Sequence, residues 1–315
     1  MGLMWDRMFW GQPGKARDQA QREAGRRIME ASQRHGDIWL ASKGHLANAL
    51  DLAAWGHPGD SRAEFMKLMA LSRETNDPRP RGMGLYGLAI LELFADNYQD
   101  AIENADEALR VSLNPIDRLA AISYKSIAMI LSKQEIDTAM NMVGNAFDGA
   151  VENGLIIFLS AGKMGNGVGQ VLQGRMAQGI RAIEAASREY EGYGMVAARP
   201  QGDMFLGETY LQIALGGETP PLSVMLANFP FLLRTLPFAK KKARHYLQKA
   251  LNGFIALDAP SFAARCHYLL GLLEKAAKQS SQARTSFQEA RDIAASVAAS
   301  NIVADADKAL AELPA

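Results

Sequence analysis

The segments WGQPGKAR (10–17) and WGHPGDSR (55–62) decide the fold, because they place Trp, Gly, Pro and Gly in the same register forty-five residues apart. In both, an aromatic residue precedes a turn and a helix-forming run follows it. Strand signals are scarce elsewhere, since alternating β-branched runs are few and Ala, Leu and Met recur at helical spacing. The sequence therefore predicts an all-α chain in which a helix–turn–helix unit recurs.

Further copies of the turn and second helix follow along the chain, at 94–109, 131–147, 172–186 and 273–290. The small residue that opens each second helix recurs at steps of 45, 40, 38, 40, 64 and 40 residues. A period of roughly 40 residues, lengthened once, indicates an array of about six stacked helix pairs. The aligned small residues are Ala16, Ser61, Ala101, Ala139, Gly179, Ala243 and Ala283.

The final unit resembles the tetratricopeptide repeat. Leu270 and Gly271 in its first helix precede Ala283, Phe287 and Ala290 in its second, which is the order of small and large residues in that family. The resemblance implies a right-handed α-α superhelix, that is, a TPR-like solenoid. HEAT-like units are the structural alternative, because the period exceeds the usual tetratricopeptide length. Two further matches are Leu206-Gly207 with Ala243, Leu247 and Ala250, and Leu88-Ala89 with Ala101, Ala105 and Ala108.

We predict one solenoid over residues 1–315. Its N-terminus begins only half a helix before the first turn, so we expect the chain to continue a longer array or to be the tail of a larger protein. In chain order the parts are a partial repeat (1–35), four repeats (36–80, 81–118, 119–158, 159–198), a repeat (199–258) with an insertion (216–238), a last repeat (259–300) and a C-terminal cap (301–315).

Two longer segments, 55–78 and 199–214, resemble the tetratricopeptide tails of class III adenylate/guanylate cyclase-like proteins and of related proteins that carry a STAND-type ATPase. The resemblance implies a sensory or effector-binding tail of a signalling protein. It concerns the tail alone, because residues 1–315 contain neither a cyclase catalytic sequence nor an ATPase P-loop. We therefore expect no enzymatic activity and no cofactor.

Composition narrows the function classes further. Lys+Arg and Asp+Glu are 34 each, a balance that argues against a nucleic-acid carrier. The single cysteine, Cys266, has no partner for an internal disulfide, which favours the cytoplasm. The most apolar window, 222–238, holds two prolines and Arg234, so we predict no transmembrane segment.

Cys266 and His267 are neighbours on one helix and point about 100° apart, so a buried core cysteine is expected rather than a catalytic pair.

The glycine-rich stretch SAGKMGNGVGQVLQG (160–174) invites a phosphate-loop reading. That reading fails, because Met164 follows Lys163 where a P-loop needs Ser or Thr, and no strand precedes the loop. The repeat register instead places the stretch on the first helix of a repeat, where Gly167 allows close packing and Gly174 makes the turn. The remaining glycines, Gly162, Gly165 and Gly169, predict a bend or a loosened helix over 160–172.

The concave face of a tetratricopeptide array is lined by its first helices. Projecting that register gives an apolar, Tyr- and Met-containing groove that suits an amphipathic helix or an apolar segment, from a protein partner or a covalently linked effector domain. Each apolar member could equally be inter-repeat core. The predicted groove residues are Leu46, Leu50, Tyr86, Ile90, Leu93, Tyr124, Leu131, Met164, Val168, Met204, Glu208, Arg265 and Tyr268.

An enzyme or small-molecule sensor is the alternative, with a pocket between the groove and the insertion that uses Arg199, Asp203, Glu208 and Arg265. The insertion itself is too apolar to lie in water. We expect it to fold into the groove as a plug, and contact with a partner or a membrane surface is the other reading.

Overall fold

A computed structural model describes residues 15–152, 156–192, 198–216 and 228–314. All regular structure within these ranges is helical, and successive helices pack against one another, so the predicted all-α helical repeat is confirmed. The chain divides into two compact units, residues 1–162 and 163–315, a division that the sequence did not indicate.

Unit 1 stacks its helices in sequence order, and each of α1 to α6 packs on the next. Alternate helices also touch, α2 with α4 and α4 with α6, so the first helices of successive repeats form one continuous layer. The helices are α1 (Lys15–His35), α2 (Ile38–Ala54), α3 (Pro58–Thr75), α4 (Pro78–Phe94), α5 (Tyr98–Val111), α6 (Pro115–Leu131), α7 (Ile136–Glu152) and α8 (Ile156–Leu172), the last of which extends into the residues of unit 2.

The segment 55–62 forms the turn that its repetition predicts. Trp55 is 1 % exposed and its indole N–H donates to Asp51 over 2.8 Å. Gly56 adopts a φ of 76°, a left-handed conformation that glycine reaches without steric cost. The Ser61 hydroxyl, fully buried, donates to the carbonyl oxygen of Ala49 over 2.7 Å and so ties the two helices of the repeat together. Of the earlier copy, residues 10–14 lie outside the described residues.

The same turn recurs in four of the described repeats, and glycine does not occupy it in all of them. In these four, a residue with positive φ stands five positions before the buried small residue of the second helix. Before Ala139 the residues with positive φ are Lys133 and Glu135 instead. The turn is therefore set by the packing of the two helices as much as by its own residues. The pairs are Gly56 and Ser61, Asp96 and Ala101, Gly174 and Gly179, and Lys278 and Ala283.

The first helices of the unit 1 repeats begin at capping residues. The side chains of Asp37, Asp77 and Asn114 accept backbone N–H groups in the first turns of α2, α4 and α6, over 3.1, 3.0 and 2.9 Å. Proline follows two of these caps at the first helical position, where it needs no hydrogen-bond partner. Capping thus sets where α2, α4 and α6 begin.

Unit 2 repeats the scheme. Its helices after α8 are α9 (Met176–Gly192), α10 (Ala198–Leu215), α11 (Phe229–Thr235) with a 3₁₀ turn (Leu236–Phe238), α12 (Ala239–Ala256), α13 (Pro260–Ala276), α14 (Ser280–Ser296) and α15 (Ser300–Ala311). Helices α10 and α12 pack as one pair although the insertion separates them, with Gly207 against Leu247. Helix α15 packs on α13 and α14, in the place predicted for a cap.

The glycine-rich stretch lies on α8, which runs without interruption from Ile156 to Leu172. The helix is not broken there, and the bend or loosening expected over 160–172 stays a prediction. Gly167 packs directly on Ile183 and Gly179 of α9, and Gly174 makes the turn with a φ of 80°, as the repeat register predicts. The ammonium of Lys163 pairs with Glu189 over 2.5 Å, so its described role is to bridge two helices.

The plug expected of the insertion is wrong for its described part, residues 228–238. Phe229, Leu233, Leu236 and Phe238 are each more than half exposed. The side chain of Asn228 is buried and accepts the backbone N–H of Met176 over 3.2 Å, which fixes this segment to the turn between α8 and α9. The remaining insertion residues, 217–227, lie outside the described residues.

Candidate functional site

Four polar residues gather on the layer formed by α2, α4 and α6 in unit 1. Lys43 lies on α2, Tyr86 on α4, and Asp117 and Tyr124 on α6. They come together because alternate helices contact each other, which brings residues about forty positions apart in sequence side by side. Tyr86 and Tyr124 belong to the same apolar cluster of unit 1, so the four residues sit at the edge of its core. We call these four residues the polar cluster.

Asp117 is the most unusual member of the polar cluster. Its side chain is in the third position of α6 and the residue is only 3 % exposed. Within the described residues it has no hydrogen-bond partner, whereas a buried carboxylate is rarely left without one. Burial raises the pKa of the Asp117 carboxyl above its ordinary value, and the charge of Lys43 opposes that shift. The Asp117 carboxylate is therefore a buried acceptor that no described residue uses.

Lys43 is the charged group that acts on Asp117. Burial lowers the pKa of the Lys43 ammonium, and Asp117 opposes this shift in turn. The ammonium stands 4.3 Å from the ring centroid of Trp39, one helical turn earlier on α2, and the Arg79 guanidinium lies 5.3 Å from the same ring. A cation over an aromatic face is stabilised when it is partly desolvated. The Trp39 ring thus stabilises the Lys43 ammonium at its place in the polar cluster.

The two tyrosines bring hydroxyl groups to the same place. Burial raises the pKa of Tyr86 well above its ordinary value, with smaller effects from the charges of Asp117 and Tyr124. Burial also raises the pKa of Tyr124, to about 12. Both phenols are neutral at physiological pH, and in the described part of the chain neither hydroxyl has a hydrogen-bond partner. Each can donate one hydrogen bond and accept others.

Taken together, the polar cluster offers one carboxylate, one ammonium and two neutral hydroxyls. Three of these groups have hydrogen-bonding capacity that the described residues leave unused. Their oxygen atoms are not among the fully enclosed unpaired atoms of the described residues, so a group from outside can reach them. The arrangement suits the binding of a group that donates hydrogen bonds to Asp117 and exchanges them with the tyrosines.

Most of the predicted groove residues lie in the core. Those under a tenth exposed are Leu46, Leu50, Tyr86, Ile90, Leu93, Met164 and Met204. The physical reason is that the first helices pack side by side and bury their shared apolar faces between repeats. That these residues also line a partner groove stays a prediction. The half-buried members are Tyr124, Leu131, Val168, Glu208, Arg265 and Tyr268.

The charged residues of the alternative pocket are paired with one another and with neighbouring helices. Arg199 Nε lies 3.4 Å from Oδ2 of Asp203, and Lys249 Nζ lies 3.0 Å from the same oxygen. Arg265 bridges from α13 to Glu208 on α10 over 3.3 Å. Asp203 and Glu208 thus have separate partners in ion pairs that join helices, and the described contacts do not bring all these charges to one point.

Cys266 is a core residue, as expected. It is fully buried, and burial raises the pKa of its thiol, so it does not supply a thiolate. The imidazole of His267 turns instead to Glu289 on α14, with 2.9 Å between Nδ1 and the carboxylate. No group of three or more His, Cys, Asp or Glu residues is arranged to hold a metal ion in the described ranges.

Sequence reasoning found Tyr86 and Tyr124 but missed Lys43 and Asp117. Asp117 follows a capping Asn-Pro and resembles an ordinary first-turn carboxylate that favours the helix dipole. Lys43 stands alone among small and apolar residues on α2, which was the available signal. Lys43 and Asp117 come close because particular first helices contact each other, and the spacing of the motifs does not predict which first helices do so.

No protein-family model matches this chain, and no curated protein matches its sequence. None of the described helices is both long and apolar enough to cross a bilayer.

Proposed function

We propose that the protein is a non-catalytic interaction module of a signalling protein, in which the polar cluster of unit 1 binds a segment of a protein partner or of a linked effector domain. The observation that carries this proposal is the set of unused hydrogen-bonding groups on Tyr86, Asp117 and Tyr124. The burial of the apolar residues once assigned to the groove favours a partner segment with hydrogen-bond donors over a purely apolar one.

Two further considerations support an interaction role. Helical repeats expose extended layers of first helices, and such layers bind partner segments in many solenoids. The sequence resemblance to the tetratricopeptide tails of cyclase-like and STAND-type signalling proteins supports a role in signal transduction, and the cytoplasm is the compartment that we propose. Binding would act by selecting one packing of neighbouring repeats over another.

The test is quantitative affinity purification from the native host with the full chain as bait. We expect proteins enriched by the wild type to fall about tenfold or more with Asp117→Asn, because a hydrogen bond to a charged group is worth roughly 1.5–3 kcal/mol. Tyr86→Phe combined with Tyr124→Phe should act in the same direction. The matched control is Tyr98→Phe in the same unit, whose hydroxyl bonds to Asp96 away from the cluster. Unchanged recovery with folded cluster variants would refute the proposal.

A small-molecule sensor is the second candidate, and the deep burial of Asp117 favours it. A carboxylate that is 3 % exposed is reached more readily by a small donor such as an amine than by a folded surface. Thermal unfolding of the full chain with a panel of small amines separates the two candidates, because a ligand of the folded state raises its stability by mass action. A rise in Tm that disappears in Asp117→Asn selects the sensor.

A further inference from the structure

Unit 2 carries an exposed apolar ridge formed by Phe229, Leu233, Leu236 and Phe238. These side chains are 59, 62, 53 and 57 % exposed. The opposite side of the same segment is anchored, since Thr235 is 4 % exposed and Ala239 is fully buried. Burial of Thr235 and Ala239 on one side of the segment thus leaves the four apolar side chains of the ridge on its exposed side.

Basic side chains border the ridge. Arg234, Lys240 and Lys241 are exposed and have no ion pair in the described part of the chain. From Phe229 to Leu257 the sequence contains no Asp or Glu, although the chain as a whole is electrically balanced. The other basic residues in this range are engaged: Lys242 with Tyr210, Arg244 with Glu274, and Lys249 with Asp203.

A shallow depression lies beside Lys240 and Lys241, with Arg244, Leu273 and Ala277 also in its lining. Protruding apolar side chains beside exposed lysines match the two layers of a membrane interface, acyl chains and phosphates. Prolines at 230 and 237 keep the segment short, so its apolar side chains can enter only the outer part of a bilayer.

We propose that this ridge docks the protein on the surface of a bilayer that contains anionic phospholipids, with the apolar side chains inserted among the acyl chains and Arg234, Lys240 and Lys241 at the headgroups. A second copy of the chain is a poorer occupant, because two such faces would bring like charges together. A partner helix is also a poorer occupant, because the apolar side chains protrude and form no groove. This proposal rests on unit 2 alone and is independent of the polar cluster.

The experiment is sedimentation of the full chain with vesicles of phosphatidylcholine, with and without phosphatidylserine. We expect binding to the anionic vesicles only, with affinity that falls as salt rises. Lys240→Glu combined with Lys241→Glu should weaken binding at least twentyfold, because each charge near an anionic surface contributes about fivefold. Leu233→Glu should abolish binding. The matched controls are Lys308→Glu, an exposed lysine on α15, and Leu113→Glu, an 80 % exposed leucine of unit 1.

A second measurement does not depend on how the ridge variants fold. With tryptophan in Phe229→Trp, added anionic vesicles should shift the emission of that residue to shorter wavelength relative to the unsubstituted chain. The proposal is overturned if the wild type binds neither vesicle, if it binds both equally, or if the charge variants and controls behave alike. A dimer in solution that Leu233→Glu converts to monomer would overturn it too, since a second copy would then occupy the ridge.

Discussion

Gly167 and Gly179 face each other across α8 and α9 at the distance of touching backbones. A Cβ added to Gly167 would lie 3.1 Å from the carbonyl oxygen of Gly179, and a Cβ on Gly179 would collide with the carbonyl oxygen of Gly167. The close approach is reciprocal, so neither helix can relieve it by turning a side chain away. This contact accounts for Gly167, one of the glycines that first suggested a phosphate loop.

Gly179→Ala should therefore destabilise the protein by about 1–3 kcal/mol, the usual cost of overpacking a close contact. The matched control is Gly144→Ala on α7, because a Cβ there would meet nothing within 4 Å. It should stabilise by about 0.5–1 kcal/mol, since alanine is the better helix former. Urea unfolding of the two variants measures both effects, and equal behaviour would contradict the contact.

Much of the repeat could be predicted from the sequence because its turns are marked by Trp, Gly and Pro and its contacts need small residues. Ser61, Ala101, Ala139, Ala243 and Ala283, aligned from spacing alone, are all fully buried. Left-handed turn residues such as Lys133 and Lys278 could not be predicted, because lysine does not favour that conformation and the neighbouring helices impose it.

The candidate site was less predictable for a geometric reason. The apolar stripe of a first helix serves both the inter-repeat core and the open face, and the sequence does not say where one ends. Leu46, Ile90 and Met204 accordingly proved to be core residues. Asp117 comes near Lys43 through the packing of helices that are far apart in sequence, so no local motif could reveal it.

Asp77 should stabilise unit 1 as the cap of α4. Its carboxylate accepts the Arg79 backbone N–H over 3.0 Å and the Arg79 guanidinium Nε–H over 2.9 Å, and the guanidinium holds its pKa below the ordinary value. Asp77→Ala should cost about 1 kcal/mol. Asp77→Asn keeps the cap and loses only the charge.

Because the folded pKa of Asp77 is lowered, its charged form contributes stability above the unfolded pKa of about 3.9. That contribution is lost as the pH falls through the folded pKa. Denaturant unfolding over an acid series should thus show the difference between wild type and Asp77→Asn shrinking as the pH falls. A difference independent of pH would mean that the Arg79 pair contributes nothing.

Replacing Lys278 with glycine should raise the free energy of unfolding. Lys278 lies in the turn between α13 and α14 with a φ of 60°, a conformation that costs a residue with a Cβ roughly 1–2 kcal/mol. Lys278→Gly removes that strain at some expense in chain entropy, so we expect a net gain of about 0.5–1 kcal/mol. Lys278→Ala is the control, because it removes the charge and keeps the strain. If both variants gain equally in thermal unfolding, charge rather than conformation is responsible.

Asp117→Asn should raise the stability of the free protein at neutral pH while weakening its binding. Burial raises the pKa of the Asp117 carboxyl, so folding favours the protonated form. For a raised pKa the carboxyl costs least stability below its unfolded value of about 3.9, and stability falls as the pH rises from there through the folded pKa. Asparagine cannot ionise, so the variant should lack this loss.

Unfolding in denaturant over a pH series measures this effect, with Asp100→Asn, an exposed first-turn residue of α5, as control. A group retained at a cost to the free fold is expected where a ligand restores the balance, because residues selected for binding often oppose stability. If Asp117→Asn were instead less stable than the wild type at neutral pH, Asp117 would be a stabilising partner of Lys43. The polar cluster would then be a structural ion pair rather than a binding site.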